Sequence, residues 1–276
     1  MKDEEIRRAV RDRYGSIARE GTGGCGPSCC SQNGAPLDLV TLGETVGYSK
    51  TELGVVPEGT NLGLGCGNPT ALASLKEGET VLDLGSGAGF DCFLASKEVG
   101  ADGRVIGVDM TPDMVERARR AAEAGGYENV EFRLGEIEAL PVPDGSVDAV
   151  ISNCVLNLSP ARDRVFAEVM RVLKPGGRIM ISDLISAHPT PRFLLESPEA
   201  LVGCLPVHED EFLGQLRAAG LQNVEIVEEK RYPTDLLTAD PAVGDFLNRH
   251  PEEEGQILDF VTSIRSGLIQ GTKPGD

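Results

Sequence analysis

The 276-residue chain has no tryptophan, four tyrosines and eight phenylalanines. So sparse an aromatic set argues against a surface that stacks exposed bases. A net charge of −18 repels nucleic-acid phosphates and anionic membranes alike. No apolar run approaches the ~20 residues that span a bilayer. The acidic start, Met1-Lys2-Asp3-Glu4-Glu5, has no apolar run behind it, so no secretory leader is expected. The expectation is a cytoplasmic protein with no nucleic-acid or membrane partner. In that reducing compartment the seven cysteines are not structural disulfides and need another explanation. No Cys-x-x-Cys pair accompanies them, and there are only three histidines.

What is present is a regular alternation of strands and helices. Asp3 to Arg19 reads as a helix with Ile6, Val10, Tyr14 and Ile17 on one face. Gly21 to Pro36 is a loop carrying Cys25, Cys29 and Cys30. Ser49-Lys50-Thr51-Glu52 has capping-box form, and Asn68-Pro69 has the form of a helix start. From residue 79 the spacing predicts strands at Thr80–Leu84, Arg104–Asp109, Val130–Leu134, Val147–Ser152 and Arg178–Ile185. Helices are predicted at Ala88–Val99, from Thr111-Pro112 to about Ala124, and from Ser159-Pro160 to about Leu173. Lys174 to Gly177 reads as a sharp turn. This is an α/β chain with a doubly wound, mostly parallel sheet and right-handed crossovers. A smaller α+β part follows, with a helix at Glu209–Ala219, a strand at Val224–Glu228, and Gln256–Leu268 undecided between helix and strand. The divisions expected are 1–68, 69–186 and 187–276.

The stretch Val81-Leu82-Asp83-Leu84-Gly85-Ser86-Gly87-Ala88-Gly89 is a strand, a tight glycine turn and a helix start. Such a turn lets a nucleotide-like ligand approach the backbone beside a helix N-terminus. A nicotinamide site has G-x-G-x-x-G spacing; here the spacing is G-x-G-x-G. Asp109 ends the second strand, where a carboxylate accepts ribose hydroxyls of either cofactor. With Asp83, Gly135-Glu136-Ile137 and Leu173-Lys174-Pro175-Gly176-Gly177, the ordered set resembles class I S-adenosylmethionine-dependent methyltransferases. That resemblance implies cofactor contacts at Asp83, Gly85, Ser86, Gly87, Gly89, Asp109, Met110, Gly135, Glu136, Ile137 and Asn153.

Fold and cofactor leave the acceptor open, and the cysteines bear on it. Cys92 lies within a helix pattern and reads as core. Cys154 lies just past the fourth strand, where the transferable methyl is expected. Cys66 sits between glycines, where few side chains can pack around it, and Cys204 lies beyond the fifth strand. Three converging thiolates suit a soft, trigonal-pyramidal centre; zinc is the usual alternative.

The segments Asn61-Leu62-Gly63-Leu64-Gly65-Cys66-Gly67 and Ser152-Asn153-Cys154-Val155-Leu156-Asn157, with the loop ending in Cys29-Cys30, resemble arsenite S-adenosylmethionine methyltransferases. The resemblance implies that Cys66, Cys154 and Cys204 bind trivalent arsenic, delivered as arsenite or methylarsenite, for detoxification. It implies an arsenic lone pair as nucleophile, so that no general base is needed. It also implies a redox disulfide between Cys66 and Cys29 or Cys30, renewed by a thiol reductant, thioredoxin or glutathione. The chain departs from the family after Cys204, where Leu205-Pro206-Val207-His208 and an acidic run replace a longer small-residue segment. Two other readings share part of this pattern: methylation of a small organic acceptor such as a quinone, and arsenic or metal binding without catalysis.

Overall fold

A computed structural model describes residues 3–20, 31–32, 35–36, 39–69, 74–195, 204–231 and 251–275. Cys25, Cys29 and Cys30 lie outside the described residues, as does the continuation of the helix expected after Asn68-Pro69. The first helix, α1 (Asp3–Glu20), buries Ile6, Val10 and Ala18. A two-residue pair, β1 (Ser31–Gln32) with β2 (Ala35–Pro36), lies within the stretch expected to be loop. Helix α2 (Leu39–Val46) precedes α3 (Lys50–Val55), which the expected capping box of Ser49 and Glu52 starts.

The sheet follows the alternation read from the sequence. It comprises β3 (Thr80–Leu84), α4 (Phe90–Val99), β4 (Arg104–Asp109), α5 (Pro112–Gly125), β5 (Val130–Leu134), β6 (Val147–Asn153), α6 (Arg162–Val172) and β7 (Leu173–Ser186). A short α7 (Arg192–Leu195), β8 (Val207–His208), α8 (Glu209–Ala218), β9 (Gln222–Arg231), α9 (Glu254–Thr262) and β10 (Ile264–Thr272) complete the described elements. The eight-stranded sheet has the order β5-β4-β3-β6-β7-β10-β9, with β8 paired to the end of β7. The strands from β3 through β7 are parallel, and β10 is antiparallel to both of its neighbours. The order reverses between β3 and β6, so a crevice opens at their carboxyl ends.

Period-two alternation divides the core. Leu82, Leu84, Ile106, Val108 and Val150 face α6 and α8, where Phe166 and Phe212 meet edge to face at 5.9 Å. Val81, Val105, Ala149 and Ile151 face the other side, with Phe93 of α4 and Val115 of α5. Burying each of the larger apolar side chains, Val, Leu, Ile or Phe, contributes roughly 1.5–3 kcal/mol. Among the described residues, no helix is long and apolar enough to cross a membrane.

Three boundaries differ from expectation. Helix α4 starts at Phe90 because the turn extends to Gly89, whose left-handed backbone has φ 90°. Helix α6 starts at Arg162, since Leu156–Leu158 forms a 3-10 turn and Ser159 is drawn aside to hydrogen-bond Glu138. Lys174 to Gly177 belongs to an irregular start of β7 rather than to a separate turn. The undecided C-terminal stretch is both things in succession, α9 and then β10, and β10 joins the main sheet beside β7.

A crevice beside a cluster of thiols

The glycine turn after β3 is stapled to β4. Gly85 and Ser86 donate their backbone N–H groups to the Val108 carbonyl at 2.8 and 3.1 Å. Gly87 donates to Asp109 Oδ2 at 2.9 Å, and Thr111 donates to Asp109 Oδ1 at 2.8 Å. Gly85 has φ 66°, and a Cβ there would run into the Val155 side chain. At Gly87, with φ 52°, a Cβ would point into open space, which leaves the backbone bare toward the crevice. Gly89 serves packing instead: a Cβ would press on Phe132 and Phe93.

The crevice, about 1220 Å³ and open to solvent, is lined by Asp83, Gly85, Ser86, Gly87, Asp109, Met110, Gly135, Ile137 and Asn153, all of them expected cofactor contacts. Two expected contacts, Gly89 and Glu136, are not in its lining. Glu136 turns outward to Arg7 and Arg11, at 3.6 and 4.0 Å. Its place is taken by Glu138, which is buried, accepts from Ser159 at 2.7 Å and pairs with Arg7 of α1. Helix α1 thus closes one side of the crevice.

The lining is acidic. Burial pushes up the Asp83 carboxyl, with Asp91 adding repulsion. Burial likewise raises Asp109, and it lifts Asp91 to about 6 against hydrogen bonds from Asn153 and Tyr48. Such a set favours a ligand carrying positive charge and disfavours a pyrophosphate. Ser86 Oγ, also in the lining, is buried without a hydrogen-bond partner. An orphaned hydroxyl, bare glycine backbone and clustered carboxylates fit a sulfonium cofactor with ribose hydroxyls.

Asn153, at the end of β6, joins this crevice to Cys66. Its Nδ2 donates to Tyr48 Oη at 2.7 Å, the Gly67 carbonyl at 2.8 Å and Asp91 Oδ2 at 3.0 Å. Its Oδ1 accepts from the Cys66 backbone N–H at 3.0 Å. The glycines flanking Cys66 do not leave it unpacked: it is 3% exposed, against Leu184, Ile257 and Phe260. Their role is close approach, since a Cβ at Gly65 would meet Asn153 and one at Gly67 would overlap the Ser182 hydroxyl. Ser266 of β10 completes the anchorage by donating to the Cys66 carbonyl at 2.5 Å.

Replacing Asn153 by alanine strands several buried polar groups, so unfolding free energy is expected to fall by about 2 kcal/mol. Urea denaturation measures it. An unchanged midpoint would remove Asn153 as the link between Cys66 and the crevice.

Cys154 lies close to both of the other expected thiols. Cys154 lines the crevice, and its Sγ lies 3.7 Å from Cys204 Sγ. Ligand atoms of Cys66, Cys154 and Asp183 lie within 4.8 Å of one another. Cys154 and Cys204 have φ of 58° and 61°, a backbone region few side-chain-bearing residues adopt. Hydrogen bonds with Cys204 and Cys66, then burial, hold the Cys154 thiol well above its ordinary pKa. Cys92 is fully buried, as expected of a core residue, and its thiol donates to Asp83 at 3.2 Å. Sequence reasoning missed Asp91, Glu138 and Asp183. It also missed the apolar wall from α9, where Ile257 and Phe260 pack in the cluster that holds Cys66 and Cys154.

Residues 75–232 match the family model for a methyltransferase domain. The chain is 47% identical to an arsenite methyltransferase of Halobacterium salinarum, over 88% of this chain and 65% of that protein. It is 35% identical to one of Aquipseudomonas alcaligenes, over 80% of this chain and 64% of that protein. The chain therefore spans just under two thirds of the length of these relatives. Among solved structures it is similar to an arsenic (III) S-adenosylmethionine methyltransferase of Chlamydomonas reinhardtii. That likeness has a TM-score of 0.61 and 31% identity, over 87% of this chain and 74% of the other. The chain belongs to the arsenite S-adenosylmethionine methyltransferase family.

Proposed function

We propose that this protein methylates trivalent arsenic held by Cys66, Cys154 and Cys204, with S-adenosylmethionine as methyl donor. The carrying observation is that Cys154 belongs to both halves of the site: it lines the acidic crevice and touches the Cys204 thiol. The three thiols come from the three parts of the chain, 1–68, 69–186 and 187–276. The residues that would hold the donor are the turn at Gly85–Gly87, Asp109 for ribose, Gly135 and Ile137 for adenine, and the carboxylates Asp83 and Asp91 facing its charge.

Arsenite or its thiol adduct exchanges its three ligands for the protein thiols. Each thiol proton leaves on a departing hydroxyl or thiol, so the raised Cys154 pKa is no obstacle. S-Adenosylmethionine supplies a methyl electrophile to the arsenic lone pair, leaving S-adenosylhomocysteine. No proton has to be removed from the nucleophile, so the chain's contribution is positioning and an apolar wall that excludes water. Two protein thiolates then leave arsenic as a disulfide, and their two electrons return arsenic to the trivalent state. A thiol reductant, thioredoxin or glutathione, restores the thiols, with Cys30 as a relay. Such chemistry belongs in the cytoplasm.

Purified protein given labelled S-adenosylmethionine, arsenite and a thiol is expected to form methylarsenic and S-adenosylhomocysteine in equal amounts. Arsenite-independent turnover, or turnover on a quinone alone, would sink the assignment of the acceptor. The acidic lining adds a pH signature. Asp91 is neutral below about 6 and charged above, so acidification removes attraction for the sulfonium. Between pH 7.5 and 5.5 the affinity for S-adenosylmethionine is expected to fall about twofold to fourfold. S-Adenosylhomocysteine, which lacks that charge, should change less. Calorimetry at both pH values decides, and equal changes for the two ligands would contradict the role given to Asp91.

A further inference from the structure

The thiol cluster contains a fourth donor that three-thiolate chemistry does not use. Asp183 of β7 is fully buried. Its Oδ2 accepts from the Leu156 N–H at 3.0 Å and its Oδ1 from the Leu184 N–H at 2.8 Å, fixing the carboxylate in place. The Cys204 Sγ stands 3.7 Å from that same Oδ1. A carboxylate oxygen also lies within 4.8 Å of the Cys66 and Cys154 sulfurs. The 3.7 Å between the sulfurs of Cys154 and Cys204 is close to the ~3.8 Å edge of a tetrahedron with 2.3 Å metal–sulfur bonds. Both of those cysteines have a positive φ, a backbone region few side-chain-bearing residues adopt.

We propose that Cys66, Cys154 and Asp183, whose ligand atoms lie within 4.8 Å of one another, take a thiophilic divalent cation, Zn²⁺ or Cd²⁺, with Cys204 closing on it as fourth donor from beside Cys154 and Asp183. Trivalent arsenic bonds the three thiolates alone and turns its lone pair to the crevice, so the carboxylate has no bond to make to it. A filled-shell divalent cation has no such lone pair and accepts the carboxylate oxygen as well. The occupied site carries the same net charge as a four-thiolate zinc centre, with two backbone amides already supporting the carboxylate. On binding, the three thiols release their protons to solvent and no electrons move. A cation seated there occupies the thiols that arsenic needs. The inference rests on donor geometry and stands apart from the methylation reading.

The test uses the full reduced chain with Cys25, Cys29 and Cys30 replaced by serine, so that no N-terminal thiol contributes. Titration with Cd²⁺ is followed by the thiolate-to-metal ultraviolet band. One equivalent with the amplitude of three thiolates is expected. Asp183→Asn should keep the band and weaken binding about tenfold or more, and Asp183→Glu should recover part of the loss. An unaltered affinity in Asp183→Asn, or no saturable band in the parent, overturns the proposal. Should Asp183→Asn fail to fold, cadmium-113 resonance of the parent replaces it. A shift for three sulfurs and one oxygen supports the site, and any other donor set refutes it. Arsenite should displace the cadmium one for one. Arsenite bound without any cadmium binding refutes the cation site and leaves the arsenic reading standing, whereas cadmium bound without any arsenite binding does the reverse.

Discussion

Cys154→Ser is expected to lower arsenite methylation by about a hundredfold or more, with S-adenosylmethionine binding nearly unchanged. Serine removes the one sulfur that both lines the crevice and contacts Cys204. Cys66 is buried behind Asn153, and Cys204 is held over Asp183. Two remaining thiols can still retain arsenic, but they no longer set it against the donor, and misplacement of about 1 Å costs about a hundredfold in rate. The oxygen is also a poor partner for a soft centre. Turnover, arsenic retention and calorimetric cofactor affinity should be measured on one preparation. Loss of cofactor binding alongside turnover would show a collapsed crevice, and retained turnover would remove Cys154 from the acceptor site.

Asp109→Ala should weaken S-adenosylmethionine binding about a hundredfold and leave arsenic retention intact. The carboxylate does two things at once. It holds the turn, through Gly87 at 2.9 Å and Thr111 at 2.8 Å, and it stands in the lining where ribose hydroxyls need an acceptor. Asp109→Asn should rescue little. Its amide would set one N–H donor against the N–H of Gly87 or Thr111 where an acceptor is required. Calorimetry on both variants separates these effects, and an affinity within about threefold of wild type would show that Asp109 only shapes the turn.

The parallel sheet was legible because each strand is a short apolar run between glycine, proline and capping signals, and because Asp83, Gly85 and Asp109 sit at strand ends. Cys154 was legible for the same reason, one residue past a strand. The placement of Cys66 was only half legible. Its flanking glycines read as open loop, yet they permit close approach to Asn153 and Ser182. Ser266, which anchors Cys66 from 200 residues away, belongs to a strand whose pairing no local pattern reveals. Asp183 was invisible within the apolar run of β7, because a buried carboxylate is recognised by the amides that reach it. Glu138 rather than Glu136 faces the crevice, where Ser159 donates to it, while Arg7 of α1 reaches both carboxylates, a tertiary fact with no local signature.

The central claim is that thiols from three remote stretches hold arsenic beside the methyl donor's crevice. Arsenic-edge X-ray absorption tests it most directly, on protein lacking Cys25, Cys29 and Cys30 and loaded with arsenite and S-adenosylhomocysteine. Three sulfur neighbours and no oxygen are expected, with one sulfur lost in Cys154→Ser. Fewer than three sulfurs in the parent, or a spectrum unaltered by Cys154→Ser, would contradict the account.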